Sequence, residues 1–177
     1  MLRRLQWFEE ARYGLFIHWG LYAQLGGIWN GKAYPGGTEW IMRTAQIPYT
    51  EYRRLQDTFD PVDFDAEKWA CLAESFGCRY VCITAKHHDG FAMFASDASD
   101  YNILHTPFGR DIVMELSEAC RRHSLVFCVY YSQMQDWADP DGDGNTWDYD
   151  PEKKDFRNIC HRKSPKNLNR RWAPTGC

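Results

Sequence analysis

An α/β fold with a parallel sheet is what the sequence predicts, on three observations. Short apolar runs alternate with amphipathic helical patterns, the runs are apolar almost throughout, and each closes on polar or aromatic side chains. Strands buried on both faces read this way because helices cover them. Their C-terminal edge is where α/β barrels and open α/β sheets build sites.

The first strand is YGLFIHWG, Tyr13 to Gly20, which closes on His18, Trp19 and Gly20. A connection rich in Gly, Tyr and Trp follows from Leu21 to Pro61, and such length inside a compact domain is usually functional. FDAEKWACLAESFG then gives a helix with Asp65 as N-cap, an apolar face of Trp69, Leu72, Ala73 and Phe76, and Gly77 as its stop. RYVCITAKHHDG is the second strand. RDIVMELSEACRRHS repeats the helical pattern from Asp111, with Ile112, Leu116 and Ala119 at helical spacing and Arg121 and Arg122 where they suit the dipole. LVFCVYYS is the third strand, and it runs out into QMQDWADPDGDGNTWDYD.

The composition fits one domain with a substantial core: 177 residues, 44% hydrophobic and 16% aromatic. A net charge of -3, from 21 basic and 24 acidic residues spread through the chain, suggests no nucleic-acid and no membrane surface; HRKSPKNLNRRW is the local exception. No run has the length of a bilayer-spanning helix, and the first residues lack an apolar signal core. The expectation is a soluble, cytoplasmic protein, with a start upstream of Met1 left open. Seven cysteines, odd in number and without a CxxC pair, read as buried free thiols in a reducing compartment.

Four ionisable side chains, Lys86, His87, His88 and Asp89, end the second strand just ahead of Gly90. Paired imidazoles bind a metal or hydrogen-bond a polyhydroxylated ligand. Neighbours on an extended strand face opposite sides, so two of them ligate one ion only if the backbone turns between them, and polar recognition is favoured. Solvated or capping histidines in a turn are the plainer alternative. GGTEW sets Glu39 beside Trp40; a carboxylate hydrogen-bonds sugar hydroxyls and an indole face covers the apolar side of a sugar ring, although Glu39 alone would read as a solvated loop charge. VYYSQMQDW offers Tyr130 and Tyr131, one of them facing the interior, and then Asp136 and Trp137. DPDGDGNTWDYD has calcium-loop spacing at Asp139, Asp141, Asp143 and Asp150, but Thr146 replaces the usual aliphatic residue and no flanking helix pair is evident. A turn-rich loop is favoured there over calcium.

YGLFIHWGLY, GGTEW, RYVCITAKHHDGF, GRDIVMELSEACRR and VYYSQMQDW come in the order and rough spacing found in the α-L-fucosidases of glycoside hydrolase family 29. The chain resembles that family from about Gln6 to about Phe156. The resemblance implies the N-terminal part of a (β/α)8 TIM barrel, with about three βα units, since a complete barrel needs ~250 residues. Residues 1–158 would be the N-terminal part of the catalytic domain, and 159–177, where Lys, Arg and Asn replace the pattern, an atypical tail from a frameshift or truncation.

The resemblance also implies retaining hydrolysis of terminal α-L-fucosyl residues. His18, Glu39, His87, His88 and Tyr130 would hold the sugar, with Trp40 beside it and no metal or other cofactor. The family nucleophile is an Asp at the end of the fourth strand, in a Trp-x-Asp context, and the acid/base comes later. Neither carboxylate is expected in this chain, which is therefore expected to be inactive alone. The implied partner is a fucosylated oligosaccharide or glycoconjugate, with the oligomeric state left open. Two alternatives stand beside this reading. One is a non-catalytic fucose-binding protein; the other is a metal-dependent barrel hydrolase using His18, His87 and His88, which would want a His-x-His that FIHWG does not supply.

Overall fold

The computed structural model describes residues 6–162. The chain enters through a short helix, α1 (Gln6–Ala11), into β1 (Gly14–Ile17). Next come a two-residue hairpin, β2 (Ile28–Trp29) with β3 (Lys32–Ala33), and two single-turn helices, α2 (Ile41–Thr44) and α3 (Tyr49–Tyr52). Helix α4 (Ala66–Ser75), strand β4 (Tyr80–Lys86), helix α5 (Ile112–Arg122) and strand β5 (Val126–Tyr131) form the regular alternation, and α6 (Phe156–Arg162) follows.

All three expected strands lie in one parallel sheet, in the order β1-β4-β5. Gly14 pairs with Tyr80 and Ile17 with Ile83, while Tyr80 pairs with Val126 and Thr84 with Tyr130. This register brings the residues after Ile17, Lys86 and Tyr131 to one edge. Between Thr84 and Lys86 the β4–β5 pairing shifts by one residue, a bulge of the kind that re-aims the side chains that follow it.

Both helices begin as their sequences dictate. The Asp65 carboxylate accepts from the Lys68 N–H at 3.0 Å and the Asp111 carboxylate from the Met114 N–H at 2.9 Å, each satisfying an otherwise orphan donor. Ile112, Leu116 and Ala119 of α5 are buried against the sheet, as their spacing predicts. The face expected for α4 is corrected. Ala66, Ala70 and Ala73 are its buried stripe, whereas Leu72 is 54% and Phe76 68% exposed. The alanines, spaced four and three residues apart, form a flat stripe that packs close to its neighbours, and the bulkier side chains turn outward. Trp69 is the bridge residue, with its ring centroid 5.0 Å from Trp19 and 5.1 Å from Phe64.

The long connection between β1 and α4 is more ordered than its composition suggests. Leu21, Tyr22, Ile41, Met42, Ile47, Tyr52 and Phe59 are all buried, so the segment carries a core of its own and packs it on the sheet edge. Among the described cysteines, Cys78 and Cys120 are buried and Cys82 and Cys128 half-buried, all as free thiols, while Cys71 is exposed on the outer side of α4. The basic stretch from residue 163 to Cys177 lies outside the described residues.

Candidate functional site

His18 follows β1 directly, and Tyr130 sits one residue from the end of β5. Between them, β4 ends at Lys86 and the backbone turns at once: the Gly90 N–H donates to the His87 carbonyl at 3.1 Å, with Gly90 at φ 83°. That turn removes the alternation expected of neighbours on a strand. The ring centroids of His87 and His88 lie only 4.2 Å apart. His18 is 5.6 Å from His87 and 6.5 Å from Tyr130, and Tyr130 is 5.6 Å from His87 and 6.3 Å from His88. Only glycine fits at position 90, where a Cβ would meet Asp136 Oδ1 at 2.6 Å and the backbone is already left-handed.

The other two ionisable groups of the run are anchors. Lys86 Nζ donates to the Ser132 carbonyl at 2.7 Å and pairs with Asp136 Oδ2 at 2.9 Å, both residues being buried. Asp89 is sealed as well: Tyr52 OH donates to its Oδ2 at 3.0 Å and the Phe91 N–H to its Oδ1 at 3.3 Å. Lys86 therefore ties β4 to the segment after β5, and Asp89 ties the turn to α3. The backbone closes the same joint, with the Ser132 N–H donating to the Lys86 carbonyl at 2.9 Å and the Trp137 N–H to the His88 carbonyl at 2.7 Å.

Trp40 comes to the cluster from the β1–α4 connection. Its ring lies 5.0 Å from His88 and 5.6 Å from Trp137, itself 5.4 Å from His88, and the Arg43 guanidinium covers Trp40 at 5.6 Å. Glu39 is half-buried, with its carboxylate folded over Gly37, where any Cβ would collide with it. Its charge reaches His88 and Tyr22. The site thus gathers His18, His87, His88, Tyr130 and Trp40 as neighbouring rings, with Glu39 electrostatically coupled to them.

Tyr22, Ser132 and Trp137 complete the surroundings without having been singled out as site residues. The Thr84 hydroxyl donates to the Trp19 carbonyl at 2.9 Å, so it accepts from Tyr22 OH at 3.1 Å and sets that ring 5.7 Å from His87. Of the three, Trp137 was named in the sequence with Asp136 in VYYSQMQDW, whereas Tyr22 and Ser132 carry no sequence signal of their own.

Burial dominates the electrostatics. It pushes the His87 imidazole down to about 3 and that of His88 down to about 4, helped at His87 by His88 and at His88 by Lys86. Burial pushes Asp89 up to about 6 against the lowering effect of Tyr52 OH. Both imidazoles are neutral at pH 7, which suits hydrogen bonding to uncharged hydroxyls.

Among the described residues, no group of three or more His, Cys, Asp or Glu side chains could hold a metal ion, so the metal-dependent alternative is not favoured. The Asp-rich loop after β5 is organised by the chain's own cation. Lys154 Nζ donates to the Gly142 and Asn145 carbonyls at 2.6 and 2.7 Å, and Asp141 accepts from the Asp155 N–H and the Asn158 amide at 3.0 Å each. Asp139 accepts from the Asp141 N–H and Asp150 from the Glu152 N–H, both at 3.0 Å. Asp143 contributes its charge to Lys154.

A family model described as alpha-L-fucosidase matches residues 3–176. The chain belongs to the α-L-fucosidase family. It is 34% identical over 143 residues to human plasma alpha-L-fucosidase, covering 76% of this chain and 30% of the human protein. It is 30% identical over 152 residues to the alpha-L-fucosidase of Dictyostelium discoideum, again covering 76% of this chain and 32% of that protein. The chain therefore spans about a third of the length of the curated α-L-fucosidases it matches.

Two solved α-L-fucosidases share the fold. One, from Lactobacillus casei and in complex with alpha-L-fucose product, gives a TM-score of 0.89 at 41% identity, covering 94% of this chain and 57% of its own. The other, from Vibrio sp. strain EJY3, gives 0.92 at 36% identity, covering 99% of this chain and 31% of its own. A mutant of the Lactobacillus casei enzyme has been solved with 4-nitrophenyl-α-L-fucopyranoside and with Fucα(1,6)GlcNAc.

Proposed function

We propose that these residues form the fucose-binding part of a retaining α-L-fucosidase site, built on the first βα units of a (β/α)8 barrel. What supports this reading is one juxtaposition: His18, His87, His88, Tyr130 and Trp40 converge at the C-terminal ends of β1, β4 and β5, where α/β barrels place their ligands. The roles follow from the side chains. The imidazoles, the Tyr130 hydroxyl and the Glu39 carboxylate hydrogen-bond sugar hydroxyls, and the Trp40 indole supports the apolar ring face.

In this reading the ligand is the terminal α-L-fucose of an oligosaccharide or glycoconjugate. Binding energy from these contacts positions the sugar, and two carboxyl groups about 5 to 5.5 Å apart then carry out the retaining displacement. We place neither carboxyl group in this chain. Asp89 is unsuited to attack, being sealed and bonded to Tyr52 and Phe91, and Glu39 is a hydroxyl acceptor.

The purified 177-residue chain should release no 4-nitrophenol from 4-nitrophenyl-α-L-fucopyranoside above a His18→Ala control, while the same fucoside protects its tryptophan fluorescence from an aqueous quencher in a saturable way. Release well above the control would overturn the division between binding and chemistry. Quenching unchanged by the fucoside in a folded sample would overturn fucose binding.

A further inference from the structure

We propose that Ser132 is a positioning residue that fixes the tautomer of His88, so that His88 Nε2 offers a lone pair to a hydroxyl of the bound sugar. Ser132 Oγ lies 2.6 Å from the Gln135 carbonyl and 2.7 Å from His88 Nδ1. A serine hydroxyl has one proton, and a carbonyl can only accept. The proton therefore goes to Gln135, and Oγ is left to accept from His88 Nδ1–H. The neutral ring then has no proton on Nε2, and Nε2 is the nitrogen left for a ligand.

The geometry that enforces this is held from both sides. Ser132 donates its N–H to the Lys86 carbonyl at 2.9 Å and accepts from Lys86 Nζ at 2.7 Å through its own carbonyl, so its backbone is pinned to the residue two before His88. Ser132 is 5% exposed, and the Trp40 and Trp137 rings flank the imidazole, which limits rotation of either partner. Burial and the Lys86 charge keep the ring neutral, as an imidazolium would have no lone pair to offer.

His87 contrasts with it. His87 Nδ1 is buried with no hydrogen-bond partner among the described residues. An orphaned buried N–H is the rarer defect in folded proteins, which puts the His87 proton on Nε2. The adjacent imidazoles then present one acceptor and one donor, a match for neighbouring hydroxyls that each donate and accept.

The tautomer stands on this chain's own bonds; its use by a sugar rests on the fucose-binding reading above. The test is nitrogen-15 spectroscopy of the histidine-labelled 177-residue chain at pH 7, with His88 assigned from the signal lost in His88→Gln. The expected spectrum has the His88 proton on Nδ1. Ser132→Ala should move it to Nε2 and weaken L-fucose binding about tenfold, the effect of one lost hydrogen bond, whereas Ser132→Thr should keep the Nδ1–H form. A wild-type His88 protonated on Nε2, or a tautomer unchanged in Ser132→Ala, would overturn the proposal. The wild-type spectrum alone decides if that variant does not fold. An Nδ1–H His88 in a chain that ignores L-fucose would remove the fucose reading and leave the tautomer lock standing.

Discussion

Lys86 and Asp89 bracket the two imidazoles as buried anchors, and that burial is what depresses His87 to about 3 and His88 to about 4. In the unfolded chain both return to the ordinary value of 6.5, so between about pH 4 and 6.5 the unfolded state binds two more protons through them. Stability from these groups is therefore present above pH 6.5 and lost as pH falls through the folded values. Asp89 works the other way, since its carboxyl rises from 3.8 to about 6 and its contribution is lost as pH rises through that value, but it accounts for one proton against two. The urea midpoint should rise from pH 4.5 to 6.5 in the wild type and fall over the same range in His87→Asn/His88→Asn. A flat or falling wild-type profile would show that the imidazoles are not desolvated in this way. The histidines were legible from sequence because consecutive ionisable groups at a strand end are out of place in a buried element. Ser132 and the pairing of Asp136 with Lys86 were not, because these partners lie more than forty residues apart and meet only once the β4–β5 register is set.

The sheet positions the site through the end of β4, where a bulge, the Lys86–Asp136 pair and the turn at Gly90 follow one another between Thr84 and Gly90. Removing one partner of a buried ion pair costs more than the pair contributes, because the remaining charge keeps its desolvation penalty. Lys86→Met should thus lower stability by about 3–5 kcal/mol in urea unfolding and loosen the joint between β4 and the segment after β5. A loss below about 1 kcal/mol, the range of exposed pairs, would mean that Asp136 is solvated in the variant. Helix starts were legible in sequence, since Asp65 and Asp111 cap donors three residues on and need no tertiary partner. The α4 face was legible only at Ala73, because Ala66 and Ala70 compete at helical spacing with Trp69, Leu72 and Phe76, and only the neighbours that α4 meets select the smaller set. The order within the β1–α4 connection was not legible for a related reason. Its short turns bury Leu21, Ile41, Met42 and Tyr52 without any run long enough to show a period.

Across the whole chain, parallel strands of one sheet deliver side chains from three distant segments to one edge, a fold shared with the two solved α-L-fucosidases. The described sheet leaves Tyr13, Phe16 and Val126 exposed on its two outer strands and their approach, at 58%, 49% and 42%. Within a chain that spans about a third of its curated relatives, the side chains we propose for sugar contact gather at the ends of β1, β4 and β5 and in the β1–α4 connection. We propose that this portion recognises L-fucose by itself. The deciding experiment is calorimetric titration of the purified 177-residue chain with L-fucose, with circular dichroism on the same sample. Saturable heat that disappears in a folded His87→Ala variant is the predicted result. No saturable heat from a wild-type sample that melts cooperatively would contradict the claim.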